Sequence, residues 1–223
     1  FRETPRDRKG SSQRTPYRQG YYALVKTLVR FERWDLVLDG TTVPAYDKPE
    51  QQSWRLWAIG LAHAAQGRVD EAKQAHEKMR EQLESITASK RPLAIAEIEL
   101  DATIAARAGD RKKGWELFRK AAGMEAALIY TEPPSYPRPV VEGFANTAMA
   151  LGDHATAEQA YRDALAREPG SGRAYFGLAA SLRAQNKTAE AREMMAKGTK
   201  AWDKADADLP QMRTVTHTAG QQR

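Results

Sequence analysis

Four histidines, His63, His76, His154 and His217, are the side chains best suited to metal binding or to proton transfer near neutral pH. No two of them stand at a short metal-ligand spacing. The chain also has no cysteine, so thiolate metal sites, disulfides and a cysteine nucleophile are excluded. Glu99 and Glu142 fall at equivalent places in successive sequence units. Paired carboxylates do acid–base work only where a pocket desolvates one of them. Asp70, Glu71 and Glu190 sit around helix starts, where capping accounts for them. There is no Walker loop, GxGxxG, HExxH, GxSxG or EF-hand loop. These residues assign no catalytic group, no metal and no cofactor, and the expectation is a protein that binds rather than one that reacts.

The elements that carry these residues repeat. Four segments begin at Gly60, Ala102, Ala145 and Ala179, and each reaches a turn at Gly67, Gly109, Gly152 or Asn186. A small residue follows five positions later, at Ala72, Gly114, Ala157 and Ala191. Four further on stands a larger one, at His76, Phe118, Tyr161 and Met195. Glycine or asparagine ends a helix cheaply because either tolerates a left-handed backbone. Asp70, Asp110 and Asp153 stand where they could cap the helix that follows. The small residue lets two helices approach, and the large one shares its face and fills the space between hairpins. His63 and His76 occupy packing places in this pattern and read as core or interface aromatics. The spacing predicts an all-α array of antiparallel helix hairpins. Tyr21 to Phe31 and Trp34 to Leu38 form a degenerate hairpin ahead of it.

This pattern resembles the tetratricopeptide repeat family. Residues 138–171 carry the likeness best, with Ala145, Gly152, Ala157, Tyr161, Ala164 and Pro169 at the signature places. Residues 172–205 follow in register with Tyr175, Leu178, Ala179 and Ala191, and 53–86 and 95–128 are looser units. The resemblance implies a right-handed superhelical solenoid whose concave groove holds a segment of another protein. On the family's register Trp54, Trp57, Glu99, Thr103, Glu142, Asn146, Met149, Arg173, Phe176 and Arg183 would line that groove. Family members that bind chaperone tails clamp a terminal carboxylate with Lys and Asn. Asn146 matches one clamp place, but Glu99 and Glu142 stand where the lysines would, which favours a partner bearing cationic groups. The stretch VRFERWDLVLDG and the later WRLWAIGLAHAAQG look like the C-terminal half of a group of bacterial tetratricopeptide proteins. That likeness implies further hairpins upstream of Phe1, in a bacterial cytoplasm or periplasm.

Charge adds an alternative. Of the net +6, residues 1–20 supply +4 through six basic and two acidic side chains. They read as a basic arm, with a helical hairpin and loop at 21–50 and a tail at 206–223. Such an arm could contact nucleic acid or an anionic surface, although its excess charge lies on no repeated face. A further alternative is an enzyme, or an accessory subunit of one, whose active residues lie partly on upstream hairpins. The linker 131–139 contains PPSYPRP, which reads as a rigid inter-repeat loop or, alternatively, as a polyproline-type ligand for an aromatic groove.

Overall fold

The structure, a computed structural model, describes residues 16–86, 91–132, 134–206 and 209. Among the described residues every regular element is a helix, as the hairpin pattern predicts. The chain divides into two compact units, residues 1–140 and 141–223.

In the first unit, α1 (Pro16–Arg30) and α2 (Trp34–Val37) make the degenerate hairpin. Helix α1 starts inside the stretch read as an arm. Residues 1–15 lie outside the described residues, as do most of the tail and His217. The turn after α1 passes through Glu32 at φ 51°, a left-handed position rare for a side chain other than Gly or Asn. A loop follows, pinned by its own polar groups. The Thr42 hydroxyl donates to Asp39, as do the backbone N–H groups of Thr42 and Thr41, and together these hold the Asp39 pKa at about 2. Tyr46 then tucks its ring against Tyr17 and Tyr21, whose hydroxyl donates to the Pro44 carbonyl at 2.7 Å.

Two full hairpins complete this unit: α3 (Pro49–Ala65) with α4 (Val69–Glu84), and α5 (Arg91–Arg107) with α6 (Arg111–Ala126). Proline opens α3 at its first position, where the missing N–H costs nothing. The expected small residues are where the helices touch. A methyl added at Gly114 of α6 would lie 2.8 Å from the Ala106 Cβ and 2.9 Å from the Ala106 backbone nitrogen. Gly60 of α3 likewise lies under Leu100 of α5. Phe118 is fully buried against Trp115.

The second unit is built from α7 (Val140–Ala150), α8 (His154–Arg167), α9 (Gly172–Ala184) and α10 (Thr188–Ala201). Ala157 and Tyr161 are buried at the small and large places. The Tyr161 ring lies over Gly177 of α9, where a β-carbon would meet it at 2.3 Å.

Gly67, Gly109, Gly152 and Asn186 all adopt positive φ, between 61° and 99°. The capping expectation holds for two of three aspartates. Asp110 accepts from the Lys113 N–H at 3.0 Å and Asp153 from the Thr156 N–H at 3.1 Å. Asp70 does not cap: it lies in the first turn of α4 and pairs with Lys73 at 3.2 Å. It stands three residues past its glycine, whereas the two capping aspartates follow theirs directly.

Candidate functional site

Ten side chains were expected to line a groove, and the structure sorts them by what covers them. In the first unit Trp54, Trp57, Glu99 and Thr103 are all buried. Thr103 satisfies its hydroxyl within α5, donating to the Glu99 carbonyl at 2.8 Å. The other three are covered by the chain itself.

The cover is a strap, residues 134–139, that runs back over α1, α3 and α5. Tyr136 lies 6.2 Å from Trp54 and 6.1 Å from Trp57, ring centre to ring centre, and its hydroxyl donates to Glu99 Oε2 at 2.6 Å. Arg138 donates from Nη2 to Glu99 Oε1 at 3.2 Å and faces Glu32 at 3.6 Å. Tyr22 of α1 packs on Trp54 and donates its hydroxyl to the Ser135 carbonyl at 2.9 Å. Lys26 reaches the Pro134 carbonyl at 3.5 Å. Glu125 of α6 then accepts from the Val140 N–H at 2.8 Å. Burial, with the Glu99 charge beside it, holds the Tyr136 hydroxyl well above its ordinary range, so it remains a donor.

Tyr136 and Arg138 were not expected at this site, but a signal for them exists. Both precede a proline, which restricts them to extended backbone. In a strand-like run residues two apart point to the same side. The run therefore offers a phenol and a guanidinium together, which is what Glu99 receives.

Both carboxylates that motivated the expectation of a cationic partner face a cation within the chain. The Glu99 charge is matched internally by Arg138, and Glu142 of α7 faces Arg173 of α9 at 3.8 Å. Each of the two carboxylates therefore meets a guanidinium of its own unit.

A second polar feature lies between α4, α5 and α6. It is a cleft of about 620 Å³ whose walls include Lys73, His76 and Arg80 on α4, Glu97 and Asp101 on α5, and Lys113 on α6. His76 hydrogen-bonds Glu97 at 2.9 Å, which pulls that carboxyl below its usual range. Lys113 spans to Asp101 at 3.3 Å. His76 therefore ties α4 to α5 through a polar bond instead of filling space as an aromatic, because Glu97 stands opposite it. Among the described residues no three His, Cys, Asp or Glu side chains are grouped to hold a metal. No described helix is long and apolar enough to cross a membrane.

In the second unit Phe176 is buried, edge-on to Trp202 at 5.2 Å and against Gly198. It belongs to the α9–α10 packing and not to a surface. Glu142 is buried beside Arg173. Asn146 accepts the Tyr161 hydroxyl at 2.8 Å and is half-exposed, as are Met149 and Arg173, and Arg183 is exposed. These four, on the first helices α7 and α9, are the members of the expected set that retain surface. Close by on α8, Glu158 anchors an ion network. Burial would raise its carboxyl, but hydrogen bonds from Lys187, Arg162 and Gln185 hold it at about 2.

Comparison with known proteins finds one family: residues 143–206 match the tetratricopeptide repeat. No curated protein and no solved structure matches the chain. The matched span takes in all but the start of α7 and the whole of α8, α9 and α10, the helices that present the four residues with surface.

Proposed function

We propose, on the premise that this chain carries tetratricopeptide repeats, that it is a protein-interaction scaffold that takes up a segment of a partner protein on the α7–α9 face of its second unit. The repeat is in general a protein–protein interaction motif, and that is the coarse function. The finer reading is carried by one observation. Within the matched repeats, Asn146, Met149, Arg173 and Arg183 keep surface on the first helices, while the flanking packing residues are buried. Methionine and arginine are enriched in interface cores, and helices that expose a thioether and two guanidinium groups suit a segment carrying both apolar and carboxylate side chains. The Glu142–Arg173 pair presets the inner arginine, because the carboxylate holds the guanidinium in place before a partner arrives.

The test is peptide selection on the immobilised chain followed by calorimetry. A selected acidic–apolar peptide should lose about fivefold or more in affinity to the Met149→Ala and Arg183→Ala variants, the loss expected of interface residues that matter. Failure to select any peptide, or unchanged affinity in both variants, refutes the assignment.

A further inference from the structure

We propose that the face of the first unit formed by Trp54, Trp57 and Glu99 is a receptor for a proline-flanked Tyr-Pro-Arg segment of a partner protein, and that residues 134–139 occupy it as an intramolecular ligand. This does not rest on the second unit's binding, since every residue it uses lies in the first.

Each part of the strap is held as a bound peptide would be held. Its aromatic ring sits beside two indoles, with Tyr22 closing the side next to Trp54. Its phenol and guanidinium share one buried carboxylate, at 2.6 and 3.2 Å. Its backbone is read through carbonyls, at Ser135 by the Tyr22 hydroxyl and at Pro134 by Lys26. This is the way aromatic-lined grooves take proline-rich segments, whose stiff backbone leaves little entropy to lose. The receptor half comes from α1, α3 and α5, and the ligand half from a connection that forms no helix of its own. The ligand therefore resembles a docked segment more than a layer of the core.

Two features select the ligand. Glu99 has no exposed surface, so a segment without a matching cation leaves that carboxylate buried and unpaired. The Trp54–Trp57 pair demands a ring one proline away from that cation. A Pro-x-Tyr-Pro-Arg-Pro sequence satisfies both, and a merely proline-rich one does not. The strap also regulates the site. A tethered ligand acts at an effective concentration in the millimolar range for a short linker, so an outside segment competes only when it binds more tightly or when the strap is released.

The experiment uses the whole chain and a fluorescein-labelled peptide, Pro-Ser-Tyr-Pro-Arg-Pro-Val, copied from residues 134–140. Fluorescence anisotropy is measured for the wild-type chain, for Tyr136→Ala/Arg138→Ala, and for the milder Arg138→Ala alone, with circular dichroism on each. The double variant should bind the peptide about tenfold or more tightly than the wild type, which still carries its tethered competitor. Arg138→Ala should fall between them, and peptides lacking the Tyr or the Arg should lose the binding. A folded double variant that ignores the peptide overturns the proposal. So does a wild type that binds it equally well, because the strap is then not the occupant. If both variants lose their helical signal, the strap is part of the core rather than a separable ligand, and the proposal fails.

Discussion

Helix α6 contains two glycines that make a controlled pair. Gly114 and Gly123 are both interior positions of the same helix, so replacing either with alanine should gain about the same intrinsic helix stability, roughly 0.8–1.0 kcal/mol. Their surroundings differ completely. The added methyl at Gly123 meets nothing within 4 Å. At Gly114 it would sit 2.8 Å from the Ala106 Cβ, 2.9 Å from the Ala106 nitrogen and 3.0 Å from the Ala102 carbonyl oxygen. Two of those three atoms are backbone, so no rotamer change relieves the contact and α5 must move away from α6. Overpacking of this kind costs about 1–3 kcal/mol. Gly123→Ala should therefore stabilise the chain by up to about 1 kcal/mol. Gly114→Ala should fall below it by about 1–3 kcal/mol, leaving it near neutral or destabilised. Urea unfolding followed by circular dichroism measures both, and the difference between the variants isolates the packing term because propensity cancels. Equal midpoints would mean that α5 and α6 are not in contact at Gly114 and that the repeat register is wrong.

Three further outcomes follow from the same contacts. Glu99→Ala should cost about 3–5 kcal/mol, since it removes the buried carboxylate that meets the buried Arg138 guanidinium at 3.2 Å; a loss under about 1 kcal/mol in urea titration would contradict the buried pair. Ala157→Trp should destabilise the second unit by about 1–3 kcal/mol or more, because Ala157 has no exposed surface, and an unchanged melting temperature would speak against the α8 register. Glu158 has a folded pKa of about 2 against an ordinary 4.5, so its contribution is present above pH 4.5 and is lost as pH falls toward 2. Acid unfolding should be steeper across that window in the wild type than in Glu158→Gln, and superimposable curves would show that its ion network adds nothing.

The repeat is legible in the sequence because each of its marks is a local steric demand. A left-handed turn needs Gly or Asn whatever lies around it, and Gly67, Gly109, Gly152 and Asn186 all meet that demand. Close helix approach needs a small residue, and Gly114 shows why at atomic distance. Capping is nearly as local, and Asp70 fails only through its longer spacing from Gly67. Groove residues are another matter. Helical register tells which side of α3 or α5 a residue points to, but not what lies on that side. Trp54, Trp57 and Glu99 meet a segment whose Tyr136 is 37 residues from Glu99 in the chain. His76 illustrates the same limit, since its partner Glu97 stands on the next hairpin. Phe176 is claimed by Trp202, which lies beyond the end of the last repeat helix.

The chemistry of the strap also says something about why a charge is buried there at all. A buried ion pair adds little stability over well-packed apolar residues of similar size, because desolvation offsets most of the attraction. An apolar side chain at Glu99 with another at Arg138 would cover Trp54 and Trp57 as well. It would accept almost any apolar segment, and with the strap away it would leave a purely apolar patch of the kind that associates indiscriminately. Glu99 removes that tolerance. Its carboxylate accepts only a segment that brings its own cation and hydroxyl, spaced as Arg138 and Tyr136 are. The pair therefore works as a selector, by penalising every other occupant more than by favouring the right one. Exchanging Glu99 and Arg138 together for leucine and methionine separates selection from stability. Stability should stay within about 1–2 kcal/mol of the wild type, and discrimination between Tyr-Pro-Arg and plain proline-rich peptides should disappear. Retained discrimination in that double variant would place the specificity in the aromatic contacts alone and remove the role assigned to Glu99.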